Sequence, residues 1–248
     1  MCPVPSVSVV MPARNVAPYI DAAVESILAQ SVTDFELVIR DDGSVDGTRE
    51  RLREWARRDS RIRLFEGDQL GLAGSSNWIV RQAQAPLIAR MDSDDVARPD
   101  RLKRQLEVLR ADPAILLVGS LADSIDADGR RIRPMDPWRI ARRSWFAPFP
   151  HTSIMFRRDS FEAAGGYQPL AYCEDWDFFL RMANQGRVAV IADALVSHRI
   201  VGTSSSSAPE HQPVVETAIA RMLEALPSPE IEPCRTTSLS SWARFFSC

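Results

Sequence analysis

The segment Met91-Asp92-Ser93-Asp94-Asp95 carries the side chains best suited to chemistry in this chain. Carboxylates are hard oxygen ligands. A divalent ion held on them can neutralise the charge of a departing diphosphate and keep positions open for phosphate and water. Alternate residues of an extended stretch face one side, so Asp92 and Asp94 are expected to point together. Asp94 would then meet an ion directly, and Asp92 an ion or a ribose. The same residues could instead form an acidic loop capping the helix that starts at Pro99. An EF-hand is disfavoured, because its glycine and glutamate are missing at the later offsets. The other acidic segment, Asp41-Asp42-Gly43-Ser44, could accept hydrogen bonds from a base N–H or a ribose hydroxyl. A turn with a helix cap, supplied by Asp46 and Gly47, explains it equally well on local grounds.

Both segments need elements to hold them. Val7 to Met11 is a short apolar, β-branched run, and Phe35 to Ile39, Ile62 to Phe65 and Leu87 to Met91 read as further strands. Between them apolar residues recur at helical spacing: Ile20, Ala23, Val24, Ile27 and Leu28, then Leu52, Trp55 and Ala56, then a helix over 75–85. Pro99 opens another, with Leu102, Leu106 and Leu109 facing inward. Such alternation implies an α/β fold with right-handed crossovers and a mostly parallel sheet, whose ligands sit at the carboxyl ends of the strands. Both acidic segments fall on that edge.

The second half is less regular. Strands are expected over 115–118, 152–156 and 188–191, with a polar turn region over 123–129. Trp176, Phe179, Leu180 and Ala183 mark a helix that stops near Gly186. Four serines at 204–207 introduce a change of character, followed by a helix around 212–226 and a Pro/Ser/Thr-rich tail. The expected organisation is therefore a domain over 1–203, with a nucleotide-side half over 6–112 and an acceptor-side half over 113–203, and a tail over 204–248.

Thirty basic and 33 acidic side chains leave a formal charge of −3, too balanced for a nucleic-acid footprint. Cys2, Cys173, Cys234 and Cys248 show no CxxC pair and no zinc spacing, which suits a reducing compartment. No leader pattern and no apolar run of about 20 residues is seen, so a cytoplasmic protein is expected. The aromatic patch Trp242-Ala243-Arg244-Phe245-Phe246 could bring it to the inner face of the membrane as a peripheral protein.

Four segments together resemble the family 2 glycosyltransferases of the GT-A fold, which are Rossmann-like with a central sheet flanked by helices. They are Val9-Val10-Met11-Pro12-Ala13-Arg14-Asn15, Asp41 to Thr48, Met91 to Asp95 followed by Arg98-Pro99, and Cys173-Glu174-Asp175-Trp176-Asp177. Their order and spacing match over roughly residues 6 to 200. The resemblance implies an inverting, metal-dependent transfer of a sugar from a nucleotide-sugar, typically a UDP-sugar, to a hydroxyl acceptor. It places Pro12, Ala13, Arg14 and Asn15 in the nucleotide-facing loop, Asp42 on the base and Asp41 in support, with Asn77 and Asp92 also on the nucleotide. Asp94, Asp92 and His198 would hold Mn²⁺ or Mg²⁺, and Asp175 would be the catalytic base. His151 and Glu174 would lie on the acceptor and phosphate side. Trp176 beside them is read as core packing that could also face the acceptor. Carbohydrate, lipid-linked and protein acceptors all fit, with polysaccharide or glycolipid assembly the expected setting. Many relatives carry Arg-Asn where this chain has Ser76-Asn77; Ser76 cannot supply a bidentate cation, and Arg14 or Arg81 could compensate.

Two other readings share these features. A sugar-phosphate nucleotidyltransferase would use a similar sheet and carboxylates, but should show a Gly-rich phosphate loop where this chain has Pro12-Ala13-Arg14-Asn15. A catalytically weak nucleotide-sugar-binding module would be expected to lose Asp92, Asp94 and Asp175, which are all present.

Overall fold

The computed structural model describes residues 4–134, 149–170, 173–201 and 243–246. The serine run, the helix expected around 212–226 and Trp242 lie outside these residues.

Strand β1 (Val7–Ala13) is buried along its whole length and lies inside the sheet, between two parallel neighbours. Parallel partners flank it: β2 (Phe35–Asp42) and then β3 (Ile62–Gly67) on one side, β4 (Leu87–Arg90) on the other. Strand β5 (Val96–Ala97) is a two-residue piece beyond the acidic segment. The long β6 (Ile115–Ile125) carries β7 (Arg131–Pro134) on one flank. The short β8 (Met155–Arg157) runs antiparallel between β4 and β6, and β9 (Arg187–Arg199) runs parallel to β6. A last strand, β10 (Ala243–Phe246), pairs antiparallel with β9. Six strands of the path, β1, β2, β3, β4, β6 and β9, share one direction, as the strand–helix alternation implies.

Because side chains alternate across a strand, β1 feeds two cores. Val7, Val9 and Met11 face a cluster with α1 (Ile20–Leu28), Leu52 of α2 (Thr48–Arg58) and α4 (Arg101–Ala111). Val10 faces the other, with Ile79 and Val80 of α3 (Gly71–Gln82), Phe161 of α5 (Arg158–Ala163) and Phe178, Phe179 and Met182 of α6 (Glu174–Ala183). Helices thus cover both sheet faces and leave the strand ends for ligands.

Several boundaries differ from the sequence expectation. Strand β6 continues through Asp123 to Ile125, where a turn region was expected. A buried carboxylate is tolerated there because Arg98 and Arg131 each bring a guanidinium nitrogen to Asp123, at 2.7 and 2.5 Å. The expected strand over 152–156 is a 3₁₀ turn, His151–Ser153, followed by β8. Helix α3 starts at Gly71 rather than 75, and Gly71 takes φ 75°, which suits glycine and opens the turn into the helix.

Gly119 on β6 tests the packing. A Cβ there would lie 2.3 Å from the Phe149 ring. Gly119→Ala is expected to destabilise the fold by on the order of 1–3 kcal/mol, read as a lower urea midpoint.

Candidate active site

The carboxyl ends of β1, β2 and β4 lie side by side, since Ala13 pairs with Asp41 and Val10 with Arg90. Three loops meet there. The first, after β1, exposes Arg14 and Asn15, with Pro12 and Ala13 buried behind them. Asn15 adopts φ 52°, a left-handed conformation that asparagine tolerates. The Asn15 N–H donates to Ser44 Oγ at 3.0 Å and the Asn15 side-chain oxygen accepts from the Val45 N–H at 3.0 Å. The loops after β1 and β2 therefore hold one another.

Neighbouring positions put Asp41 and Asp42 on opposite faces of β2. Asp41 is fully buried and accepts from Arg49 Nε of α2 at 2.7 Å and from the Ser44 N–H at 3.3 Å. Asp42 accepts from the N–H groups of Leu70 and Gly71, at 2.8 and 3.0 Å, and from Ser75 Oγ at 2.9 Å. It caps the start of α3 from another strand, which no local spacing could reveal. Arg40, also on β2, donates to Ser75 Oγ at 3.0 Å and to the Asp68 carbonyl at 2.8 Å, and lies over the Trp78 ring. Asp42→Ala would leave two helix-start N–H groups without their acceptor. A loss of roughly 1–3 kcal/mol is expected with no nucleotide present, measured by urea unfolding.

Asn77 is used within the protein: its amide pairs with the backbone N–H and C=O of Tyr167, both at 2.8 Å. Both ends of the side chain are thereby engaged with the backbone of one residue. Ser76 is buried, and among the described residues its hydroxyl has no hydrogen-bond partner.

The acidic segment leaves β4 not as an extended stretch but as a turn over Ser93 and Asp94, with the Asp95 N–H 3.4 Å from the Asp92 carbonyl. The expected mechanism for aligning Asp92 with Asp94 is thus replaced by a chain reversal that crowds three carboxylates. Asp95 is fully buried and ties the turn to the end of β9, accepting from the Arg199 N–H at 2.7 Å and lying 3.2 Å from His198 Nδ1. Arg199 Nε also donates to the Asp94 carbonyl at 2.7 Å. Sequence reasoning gave Asp95 no separate task; its partners are a hundred residues away in the chain.

Crowding shows in the titration of these groups. Asp94 is pushed up to about 7 by burial and by the charges of Asp95 and Asp92. His198 is raised to about 9: burial opposes its charge, but the hydrogen bond to Asp95 and the surrounding carboxylates prevail. Asp92 is also pushed up by burial, yet Arg90, His151 and His198 hold it below the usual carboxylate range. Arg90, buried completely on β4, brings Nη2 to 2.6 Å from Asp92 Oδ1. A charged residue inside an apolar strand was the available signal for it.

His151, Tyr167 and Glu174 at the start of α6 also lie within electrostatic reach of Arg90. His151 Nε2 is 2.7 Å from the Tyr167 hydroxyl, and burial and Arg90 push the imidazole down to about 3, so it is neutral. Glu174 and Asp175 are the first residues of α6, which follows Cys173 at φ 63°. Glu174 is raised by burial, and Asp175 is pushed up to about 7 by burial and by Glu174, with a smaller effect of Asp92. Asp175 Oδ1 accepts from the Trp176 N–H at 2.9 Å. Trp176 is partly buried against the second core.

An ion is tested by the chemistry of this donor set. Asp94 is a carboxylate whose charged form is disfavoured by its neighbours, which a cation would relieve. His198 presents Nδ1 to Asp95, the arrangement that orients an imidazole for metal through its other nitrogen, and an ion there would displace the proton that the carboxylates hold on the ring. Oxygen ligands with one imidazole fit Mn²⁺ and can serve Mg²⁺. Among the described residues, no three acidic, His or Cys side chains form a ready-made cage, so phosphate and water would complete the shell.

The family model described as glycosyl transferase family 2 matches residues 8–166, more than half of the chain. The chain belongs to glycosyl transferase family 2. Relatives in this family include a chondroitin synthase of Escherichia coli, 32% identical over 186 residues, which cover 74% of this chain and 27% of that protein. A protein of Bacillus subtilis named "Putative glycosyltransferase EpsE" is 33% identical over 192 residues, which cover 73% of this chain and 68% of it. The chain spans about a quarter of that chondroitin synthase, so what the whole synthase does is not carried over. Two solved structures share the fold. A mannosyltransferase from Pyrobaculum calidifontis, in complex with GDP-Man and Mn²⁺, gives a TM-score of 0.68 at 24% identity, over 82% of this chain and 59% of that one. TarS 1-349 of S. aureus, in complex with UDP-GlcNAc, gives 0.69 at 20%, over 88% and 66%. The GT-A expectation therefore holds, and a nucleotidyltransferase is not favoured.

Proposed function

We propose that this family 2 glycosyltransferase moves a sugar from a nucleotide-sugar to an acceptor hydroxyl with inversion, using Asp175 as the base and Asp94 to hold a divalent ion. The observation that carries this reading is that Asp92, in the 92–95 turn, lies within electrostatic reach of Glu174 and Asp175 at the start of α6 and raises both. Asp175, brought to about 7, is poised to take a proton at neutral pH. It would remove the acceptor's proton as that oxygen attacks the anomeric carbon from the face opposite the leaving diphosphate. When bound to Asp94 and His198, Mn²⁺ or Mg²⁺ supplies positive charge at the diphosphate. Neutral His151, fixed by Tyr167, would offer a hydrogen bond to phosphate or acceptor without adding charge.

Arg14 and Asn15 are the exposed residues of the nucleotide-facing loop, backed by Pro12, Ala13, Asp41 and Asp42. Uracil is the expected base. Glu174 and Trp176 would border the acceptor. Relatives named as a chondroitin synthase and as the O-antigen biosynthesis glycosyltransferase WbnJ support a carbohydrate acceptor in polysaccharide or glycolipid assembly. No helix among the described residues is long and apolar enough to cross a membrane; peripheral contact through 204–248 is part of the proposal.

A screen of UDP- and GDP-sugars with Mn²⁺ or Mg²⁺ tests the reading by release of nucleoside diphosphate. Metal-dependent turnover of at least one donor is expected. No binding or turnover of any of them would sink it.

A further inference from the structure

Two arginines are fully buried where β4 releases the acidic turn, and their partners differ in kind. Arg101, from α4, sends its N–H groups to neutral acceptors: Nη2 to the Arg90 carbonyl at 2.5 Å, Nε to Gln105 Oε1 at 3.1 Å and Nη1 to Met91 Sδ at 3.1 Å. That is an architectural cross-link. Arg90 donates Nη1 to the Met91 carbonyl at 2.5 Å, and Nη2 forms an ion pair with Asp92 Oδ1 at 2.6 Å. Its Nε has no acceptor among the described residues, and the Nη2 contact lacks hydrogen-bond alignment. A buried guanidinium so poorly served by main-chain carbonyls is costly unless carboxylates balance it. The acidic groups that act on it are Asp92 first, then Tyr167 and Glu174, and the two carboxylates are candidate-site residues.

Asp92 itself is fixed at both ends. Its N–H donates to Thr152 Oγ1 at 3.1 Å, and its Oδ1 is taken by Arg90. Among the described residues nothing donates to Oδ2, and the side chain keeps 28% of its surface exposed, so one oxygen remains for a ligand. We propose that Arg90 is a positioning residue that holds Asp92 by Oδ1, so that Oδ2 meets the ribose hydroxyls of the nucleotide and the ion is left to Asp94. This rests on the donor reading above and deepens it: a buried arginine on β4 decides which oxygen of Asp92 the ligand meets.

Calorimetry on the full chain tests this with UDP and GDP in Mn²⁺, and with the 2′,3′-dideoxy form of whichever binds better. Arg90→Gln is expected to weaken nucleotide binding by about tenfold, roughly 1.4 kcal/mol. The loss should vanish for the dideoxy nucleotide and in an Asp92→Asn background, since a removed partner has nothing more to lose. The Mn²⁺ concentration for half-maximal binding should stay within about twofold. Equal loss for the dideoxy nucleotide, additivity with Asp92→Asn, or a Mn²⁺ shift as large as that of Asp94→Ala would each overturn the assignment. If Arg90→Gln does not fold, Arg90→Lys replaces it: the shorter cation should give a smaller loss with the same ribose dependence, and wild-type binding would overturn the idea. Failure of the wild-type chain to bind either nucleotide would instead defeat the donor reading, which separates the two.

Discussion

Replacing Asp175 by Asn is expected to lower kcat by on the order of 10²–10⁴-fold, while nucleotide affinity stays within about twofold. The side chain keeps its size and can still accept from the Trp176 N–H, so the start of α6 should survive. What disappears is the capacity to take a proton. The wild-type pH profile should agree. Asp175 must be ionised to act, and burial with Glu174 places it at about 7, so kcat/KM should rise with pH and level off above that value. Stability runs the other way. The folded state retains this proton up to about 7, whereas the unfolded carboxyl loses it near 3.8. The contribution of the neutral side chain to stability is therefore full below 3.8 and lost as pH rises through about 7. Single-turnover rates and thermal melts across pH 5–9 would read both. A flat rate profile, or an Asn variant with wild-type kcat, would remove Asp175 from the role of base.

Asp94→Ala should produce the other large effect: ion-dependent donor binding weakened by at least about 100-fold, with no comparable loss of ion-independent binding. Calorimetry of nucleotide with and without Mn²⁺ distinguishes the two. The same substitution removes a carboxylate crowded by Asp95 and Asp92. In chelator the variant should consequently unfold at the same temperature as the wild type or higher. A variant that binds donor with undiminished Mn²⁺ dependence would transfer the ion to other residues. A variant that is simply unfolded in chelator would show that Asp94 supports the turn rather than the ion.

These two experiments also separate what each half of the site contributes. Asp94 sits on a turn fixed by Asp95 and β9, and Asp175 at the head of a helix anchored in the second aromatic core. Phe178 and Phe179 follow Asp175 on α6 and are buried against Phe156, Phe161 and Phe149. Packing on one sheet face thus positions Asp175, the proposed base, while pairing at β9 positions the turn proposed to hold the ion. Damage to either should be felt at a distance from the chemistry.

The sequence by itself determined the parallel core, because apolar runs ending in acids are local patterns that period and composition reveal. It placed Asp41, Asp92 and Asp94 at strand ends and Asp175 at a helix start for the same reason. Tertiary structure decided the partners. Asp42 caps α3, Asn77 holds Tyr167, and Asp95 holds His198 and Arg199, each across 28 residues or more. No periodicity encodes such pairings, since they depend on which strand ends become neighbours. The extended geometry expected for Asp92 and Asp94 gave way to a turn, because Asp95 has to reach β9. Burial then completed what spacing could not: it brought a lone arginine inside a strand against Asp92, and moved Asp94 and Asp175 to about 7.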